Sequence, residues 1–225
     1  MLLGCIGNDS YGSKISENLE KVNVKPLLEI REDVLSSRCG VGICKKERCL
    51  VPQIRASTML SMDFVNNNMS EINKSELIFI EGYFIIEKYD IVKSLVSKFN
   101  ESNKKVGFTL SATFIIDNFY DKVHEISNCS DLIFCNEDEA KAFAKSNSDD
   151  MVEVSLAIHK LLTPRNRIII VTCGSEPVVI TEMRNGDIVQ QIIHPVEKLS
   201  KDEIVDTNGC GDCKLIFLSL IFHLF

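Results

Sequence analysis

Residues 168–171 read Ile-Ile-Ile-Val, four consecutive β-branched positions with no polar break. In a strand, neighbouring side chains point to opposite faces, so a run with no polar member suits a strand covered on both sides. Three shorter apolar runs precede it: ELIFIEG at 76–82, KVGFTLS at 105–111 and DLIFCN at 131–136. Segments of helical period separate them. In EKYDIVKSLVSKFN (87–100), Ile91, Leu95, Val96 and Phe99 recur at helical spacing. Further helices are predicted over roughly 113–127, over EDEAKAFAKS with its acidic first turn, and over MVEVSLAIHKLL.

Strand alternating with helix predicts an α/β chain, a mostly parallel sheet with helices on both sides. Ligands of such sheets bind beyond the carboxyl ends of the strands. Those ends are Glu81-Gly82-Tyr83, Ser111, Asn136-Glu137 and Thr172-Cys173-Gly174. PVVITEM, RNGD and IVQQIIHPV then read as a hairpin with Asn185-Gly186 at its tip. The first fifty residues have another texture, in which LLEIRED, SRCGVGICKK and ERCLV resemble β-ribbon segments joined to the sheet.

Composition narrows the function classes. With 225 residues, 45% hydrophobic and 25% charged, the chain can bury a sizeable core. A net charge of -7, with no basic cluster larger than the pairs at 45–46 and 104–105, argues against nucleic acid or an anionic membrane as the main partner. Nine cysteines are an odd number in a chain too long for a disulfide-stapled mini-protein, and the apolar start MLLGCIGND meets Asp9 too early for a secretion signal. The expected compartment is therefore reducing: the cytoplasm, with the nucleus as alternative. The run LIFLSLIFHLF at 215–225 has 11 residues against the ~20 of a membrane span, and reads as a buried helix. A monomer is the expected state.

GNDSYGSK (7–14) nearly spells a phosphate loop, but its lysine comes one residue late and is followed by Ile15, so a tight turn from strand into helix explains it better. The four histidines, at 124, 159, 194 and 223, are isolated and read as packing residues. VDTNGCGDCK (205–214) holds a C-x-x-C pair without the second pair a structural zinc needs, and without a thioredoxin-like setting. Two readings remain open from the residues alone. Asn208, Gly209, Cys210 and Gly211 can form a turn whose N–H groups and helix dipole cradle an anion, with Asp212 beside it as a proton acceptor. Equally, the segment can be an ordinary capped helix start.

DTNGCGDC resembles the D-T-x-G-A-G-D signature of the ribokinase-like (PfkB) carbohydrate and nucleoside kinases, with Cys210 at the alanine. The asparagine in third position, LLGCIGNDSYG at the start and DLIFCNEDEAKAFA between them narrow the resemblance to the branch that phosphorylates adenosine. The resemblance implies a three-layer α/β/α fold with part of a small β lid, approximately residues 25–55 of one domain spanning 1–225. It implies ATP as co-substrate, Mg²⁺ as cofactor and the 5′-hydroxyl of adenosine as acceptor. Asp212 matches the catalytic base, and Gly209, Cys210 and Gly211 match the anion hole. Asn136 and Glu139 match an N-x-x-E motif associated with magnesium and phosphate, Glu139 meeting the ion through water. Asn208, Thr172 and Gly174 fall near the nucleotide. Arg48 matches a phosphate contact, and Leu50, Ile54, Cys39 and Tyr83 match positions lining the nucleoside pocket, Tyr83 where an aromatic ring stacks on adenine. The family pattern begins upstream of LLGCIG and continues beyond Phe225, so an incomplete domain is expected. Another sugar or nucleoside kinase of this family, or a nucleotide-binding protein without turnover, are the alternatives.

Overall fold

Alternation in the sequence becomes alternation in the chain from its first residues. The computed structural model describes residues 1–44, 47–199, 203 and 209, which fall into two units, Met1–Asn67 with Leu199, Glu203 and Gly209, and Asn68–Lys198.

In the first unit, β1 (Leu2–Gly7) turns at Asn8-Asp9 into α1 (Ser10–Lys21). The Asp9 carboxylate caps that helix, accepting from the N–H groups of Tyr11 and Gly12 and from the backbone and hydroxyl of Ser36. Those donors, Gly12 first and then Ser36, pull its pKa down to about 2. GNDSYGSK is thus the expected strand-to-helix turn. With α1 as crossover, β2 (Pro26–Arg31) returns parallel to β1. LLEIRED therefore pairs with β1, whereas β3 (Arg38–Cys44) and β4 (Glu47–Gln53) form a separate antiparallel ribbon. A 3₁₀ turn at Ala56–Thr58 and the short helix α2 (Met62–Asn67) follow.

The second unit runs α3 (Met69–Ile72), β5 (Leu77–Glu81), α4 (Tyr83–Glu101), β6 (Lys105–Thr109), α5 (Thr113–Asn128), β7 (Leu132–Asn136), α6 (Glu137–Ala144), α7 (Met151–Leu161), β8 (Arg167–Cys173), β9 (Glu176–Arg184) and β10 (Asp187–His194). Its sheet is ordered β10-β9-β8-β7-β6-β5, with β5 to β8 mutually parallel and the last two strands antiparallel. Because β5 to β8 stand in sequence order, right-handed crossovers carry α4 to α7 onto one face. The row Ile80, Phe108, Ile133 and Ile169 lies under those helices, each at most 4% exposed; full burial of one such side chain stabilises by about 1.5–3 kcal/mol. The Asn185-Gly186 tip has φ of 53° and 91°, the left-handed pair that a two-residue hairpin requires.

Three departures from the sequence reading have local causes. Helix α4 begins at Tyr83, before the periodic stretch, and a non-helical Lys88 (φ -127°, ψ 33°) divides its two parts. His159 is buried as expected, its Nε2 3.1 Å from Thr181 Oγ1, but His194 ends β10 exposed to solvent. Arg167, which no pattern marked, is 1% exposed beneath the sheet and donates to the carbonyls of Ser130, Thr163 and Asn128 at 3.1, 3.3 and 3.0 Å. All seven described cysteines are free thiols. Among the described residues no helix is long and apolar enough to cross a membrane, and the run 215–225 lies outside them.

Candidate functional site

Four parallel strands end side by side, and the residues predicted at those ends in the second unit line one edge of the sheet. At ~4.8 Å per strand, β5 to β8 present a row roughly 15 Å long.

At the β7 end, Asn136 is the N-cap of α6 and forms a capping box with Glu139. Asn136 Oδ1 accepts from the Glu139 N–H at 2.8 Å, while the Glu139 carboxylate accepts from the Asn136 backbone N–H at 3.1 Å and from its amide at 2.9 Å. Three acids occupy the first turn of α6, where the helix dipole favours negative charge. Glu139 is 3% exposed. Thr172 stands in register beside Asn136, its hydroxyl donating to the Cys135 carbonyl at 3.4 Å. Beyond it, Gly174 has a φ of 57° with nothing within 4 Å of where a Cβ would stand, so the chain turns away from β8 into open space. Between them Cys173 is buried, and burial, followed by the charges of Glu137 and Glu176, pushes its thiol pKa up.

The β5 and β6 ends are tied together more tightly. The Gly82 N–H donates to Ser111 Oγ at 2.9 Å. A Cβ on Gly82 would stand 2.6 Å from the Leu110 carbonyl oxygen, so only glycine allows this approach. Ser111 itself holds a φ of 67°. These constraints send the next two aromatic side chains outward as a pair: Tyr83 and Phe114 lie 5.9 Å apart at 56°, and are 48% and 46% exposed. Partial burial, then the charges of Glu81 and Glu139, raise the Tyr83 phenol above its ordinary pKa. The paired, half-exposed rings present an apolar surface that a flat ring could stack on. Phe114 was not singled out from sequence; only its pairing with Tyr83, 31 positions away, distinguishes it from a helix-start residue.

Cys39, Arg48, Leu50 and Ile54 belong to the first unit. Cys39 and Leu50 point to one face of the β3–β4 ribbon, together with Val41, which pairs with Leu50, and all three are exposed. Ile54, just past β4, is 64% exposed. Arg48 stands opposite Ile43 in the ladder; its side chain lies outside the described residues, as do Asn208, Cys210, Gly211 and Asp212. Gly209 is exposed in a turn with a φ of 74°.

For a metal the donor set is thin. Among the described residues no three acidic, histidine or cysteine side chains converge to hold an ion, and both Glu139 oxygens already accept from Asn136. The site offers an acidic helix start and aromatic faces.

The pfkB family of carbohydrate kinases matches residues 1–214. Adenosine kinase 2 of Arabidopsis thaliana is 30% identical over 220 residues, 93% of this chain and 62% of that protein. Adenosine kinase of Saccharomyces cerevisiae is 27% identical over 213 residues, again 93% of this chain and 61% of the relative. The crystal structure of Anopheles gambiae adenosine kinase, in complex with P1,P4-di(adenosine-5) tetraphosphate, matches with a TM-score of 0.89 at 25% identity, covering 99% of this chain and 67% of that one. The fold is accordingly the ribokinase-like three-layer α/β/α fold. The chain spans about 60% of the length of the curated relatives it matches.

Proposed function

We propose, because this chain belongs to the pfkB family of carbohydrate kinases, that it is the body of an adenosine kinase, which transfers the γ-phosphoryl group of ATP to the 5′-hydroxyl of adenosine and so serves purine salvage in the cytoplasm. The observation that carries this reading is the half-exposed Tyr83–Phe114 pair at the carboxyl edge of the sheet, in a chain whose relatives are named adenosine kinases. Two aromatic faces offer a purine ring a stacking surface.

In this reading Asp212 takes the proton from the 5′-hydroxyl as it attacks, and the backbone N–H groups of Gly209, Cys210 and Gly211 stabilise the charge on the phosphoryl group in transit. Thr172, Gly174 and Asn208 border the nucleotide, and Asn136 holds the α6 start in place beside it. Arg48 meets a phosphate, while Leu50, Ile54 and Cys39 supply apolar contact to the nucleoside. A magnesium ion, arriving on the triphosphate and met through water by Glu139, would neutralise phosphate charge.

The test is product formation by the 225-residue chain with ATP, Mg²⁺ and, in parallel, adenosine, inosine or ribose. AMP formed preferentially from adenosine is expected, and Asp212→Asn should lower turnover by about 10²–10⁴ while adenosine binding persists. Preference for ribose or inosine would assign another kinase of the family, and adenosine binding with no product would assign a binding protein without turnover.

A further inference from the structure

Helices α4 and α5 pack side by side, and each is interrupted at an equivalent point. Lys88 in α4 has φ -127° and ψ 33°, and Phe119 in α5 has φ -132° and ψ 32°. Each break falls five residues after one member of the aromatic pair, Tyr83 in α4 and Phe114 in α5. The rings are therefore carried by short leading segments, 83–87 and 113–118. A helical segment of this length has too few hydrogen bonds to hold its own direction. Ile85, Ile115 and Ile116 root these segments in the core. Apolar burial is non-directional, so it holds the segments down without prescribing how far apart their rings stand.

At those breaks the two helices are joined by charge. The Lys122 ammonium of α5 stands 5.0 Å from the centre of the Tyr89 ring, directly after the α4 break, and 5.4 Å from that of Phe119, the α5 break itself. The Tyr89 hydroxyl donates to the Glu125 carboxylate, whose other oxygen pairs with Lys93 Nζ at 2.7 Å. Tyr89 and Lys93 are four positions apart, and Phe119, Lys122 and Glu125 are three apart, so each set lies along one face of its helix. Burial, followed by the hydrogen bond to Glu125, raises the Tyr89 phenol above its ordinary pKa, so its proton stays available for this bond. Lys93, then Tyr89, hold the Glu125 carboxyl below its usual range and keep it ionised. At 1.5 Å per residue, this clasp lies about 9 Å behind the Tyr83 ring.

We propose that Lys122, acting with Tyr89 and Glu125, is a positioning residue for the aromatic pair. The clasp ties α4 to α5 where each helix is broken, and so fixes the spacing at which Tyr83 and Phe114 meet. What this implies for adenosine rests on the proposed function; what it implies for the rings does not. Without the clasp the leading segments sample wider spacings, and only a fraction of molecules offers both rings to a flat base. Apparent affinity falls by that fraction. The groups assigned to phosphoryl transfer are others, so the loss falls on KM and leaves kcat nearly unchanged. Each contact of the clasp is a weak one near the surface, so removing one leaves the global fold intact.

Hydrogen exchange followed by mass spectrometry tests the clasp without any substrate. In Lys122→Met, peptides covering 83–88 and 113–119 should exchange about 2–5-fold faster, the factor that an exposed cation–π contact supports, while 92–99 and 121–127 keep their native rates. Lys122→Arg should restore protection, since a guanidinium also stacks on aromatic rings. With adenosine, Lys122→Met should raise KM by a similar factor with little change in kcat. In a Phe114→Ala background the same substitution should have no further effect on KM, because no ring pair remains to be spaced. Exchange in Lys122→Met that is unchanged, or faster everywhere alike, would overturn the proposal. So would an equal rise in KM with and without Phe114. A native chain that neither binds nor phosphorylates adenosine would refute the proposed function, and the exchange comparison would still decide the clasp.

Discussion

Both carboxylate oxygens of Glu139 accept hydrogen bonds from Asn136, and Asn136 in turn accepts the backbone N–H of Glu139. The pair that the sequence presents as a ligand motif is therefore also the device that starts α6. A buried negative charge is tolerated here because two N–H donors and the helix dipole meet it.

The first prediction separates the partners. Asn136→Ala removes the cap and the side-chain amide that donates to the buried carboxylate, while the residue-136 backbone N–H still reaches it, and should cost about 1–2 kcal/mol. Glu139→Gln removes the charge yet keeps one acceptor, and should cost less than about 1 kcal/mol. Urea denaturation midpoints measure both; the reverse order would mean that the capping box does not hold Glu139.

His159 makes the fold sensitive to mild acid. Burial holds its pKa down to about 4, against 6.5 for a free imidazole, so the unfolded chain takes up a proton first as pH falls. Stability is then full above pH 6.5 and declines between 6.5 and about 4. A shift of this size corresponds to a loss of about 3 kcal/mol across that window. Urea midpoints measured from pH 7.5 to 4 should show the decline in the native chain. In His159→Leu it should be flatter, whatever that variant's absolute stability; an unchanged slope would mean that His159 is protonated in the fold.

Gly82→Ala should damage the aromatic pair from below. The added methyl would stand 2.6 Å from the Leu110 carbonyl oxygen and 2.8 Å from that of Thr109, backbone atoms that cannot swing aside. A cost of about 1–3 kcal/mol follows from the forced separation of the β5 and β6 ends, and on the proposed function adenosine binding should weaken in a fluorescence titration. A variant as stable and as tight-binding as the native chain would show that these strand ends tolerate separation.

Arg167 should be the costliest single polar side chain to remove. Three carbonyls around the end of α5 depend on its guanidinium, and the surrounding burial already holds its pKa down to about 10. Arg167→Met fills similar space but strands those acceptors, for an expected loss of about 2–4 kcal/mol. Lysine, with a single point of donation, should recover only part of it. Thermal or urea unfolding of the two variants gives the comparison.

The sequence by itself determined the strands, helices α4 to α7 and the hairpin tip, because each element is written in a window of five to nineteen neighbouring residues. Ile168–Val171 needs no partner to declare a covered strand, and Asn185-Gly186 needs none to declare a turn. It also marked Asn136, Glu139, Thr172 and Gly174, since strand ends and helix starts are local events. Only the tertiary structure decided which distant residues meet: β2 against β1 instead of the ribbon, Tyr83 against Phe114, Arg167 beneath α5, and the faces of β10 on either side of its bulge. The first three join positions between 20 and 40 apart, and the last depends on the register of β10 against β9. No local periodicity records such a pairing, because its free energy comes from burial and hydrogen bonds that exist only once the sheet has assembled.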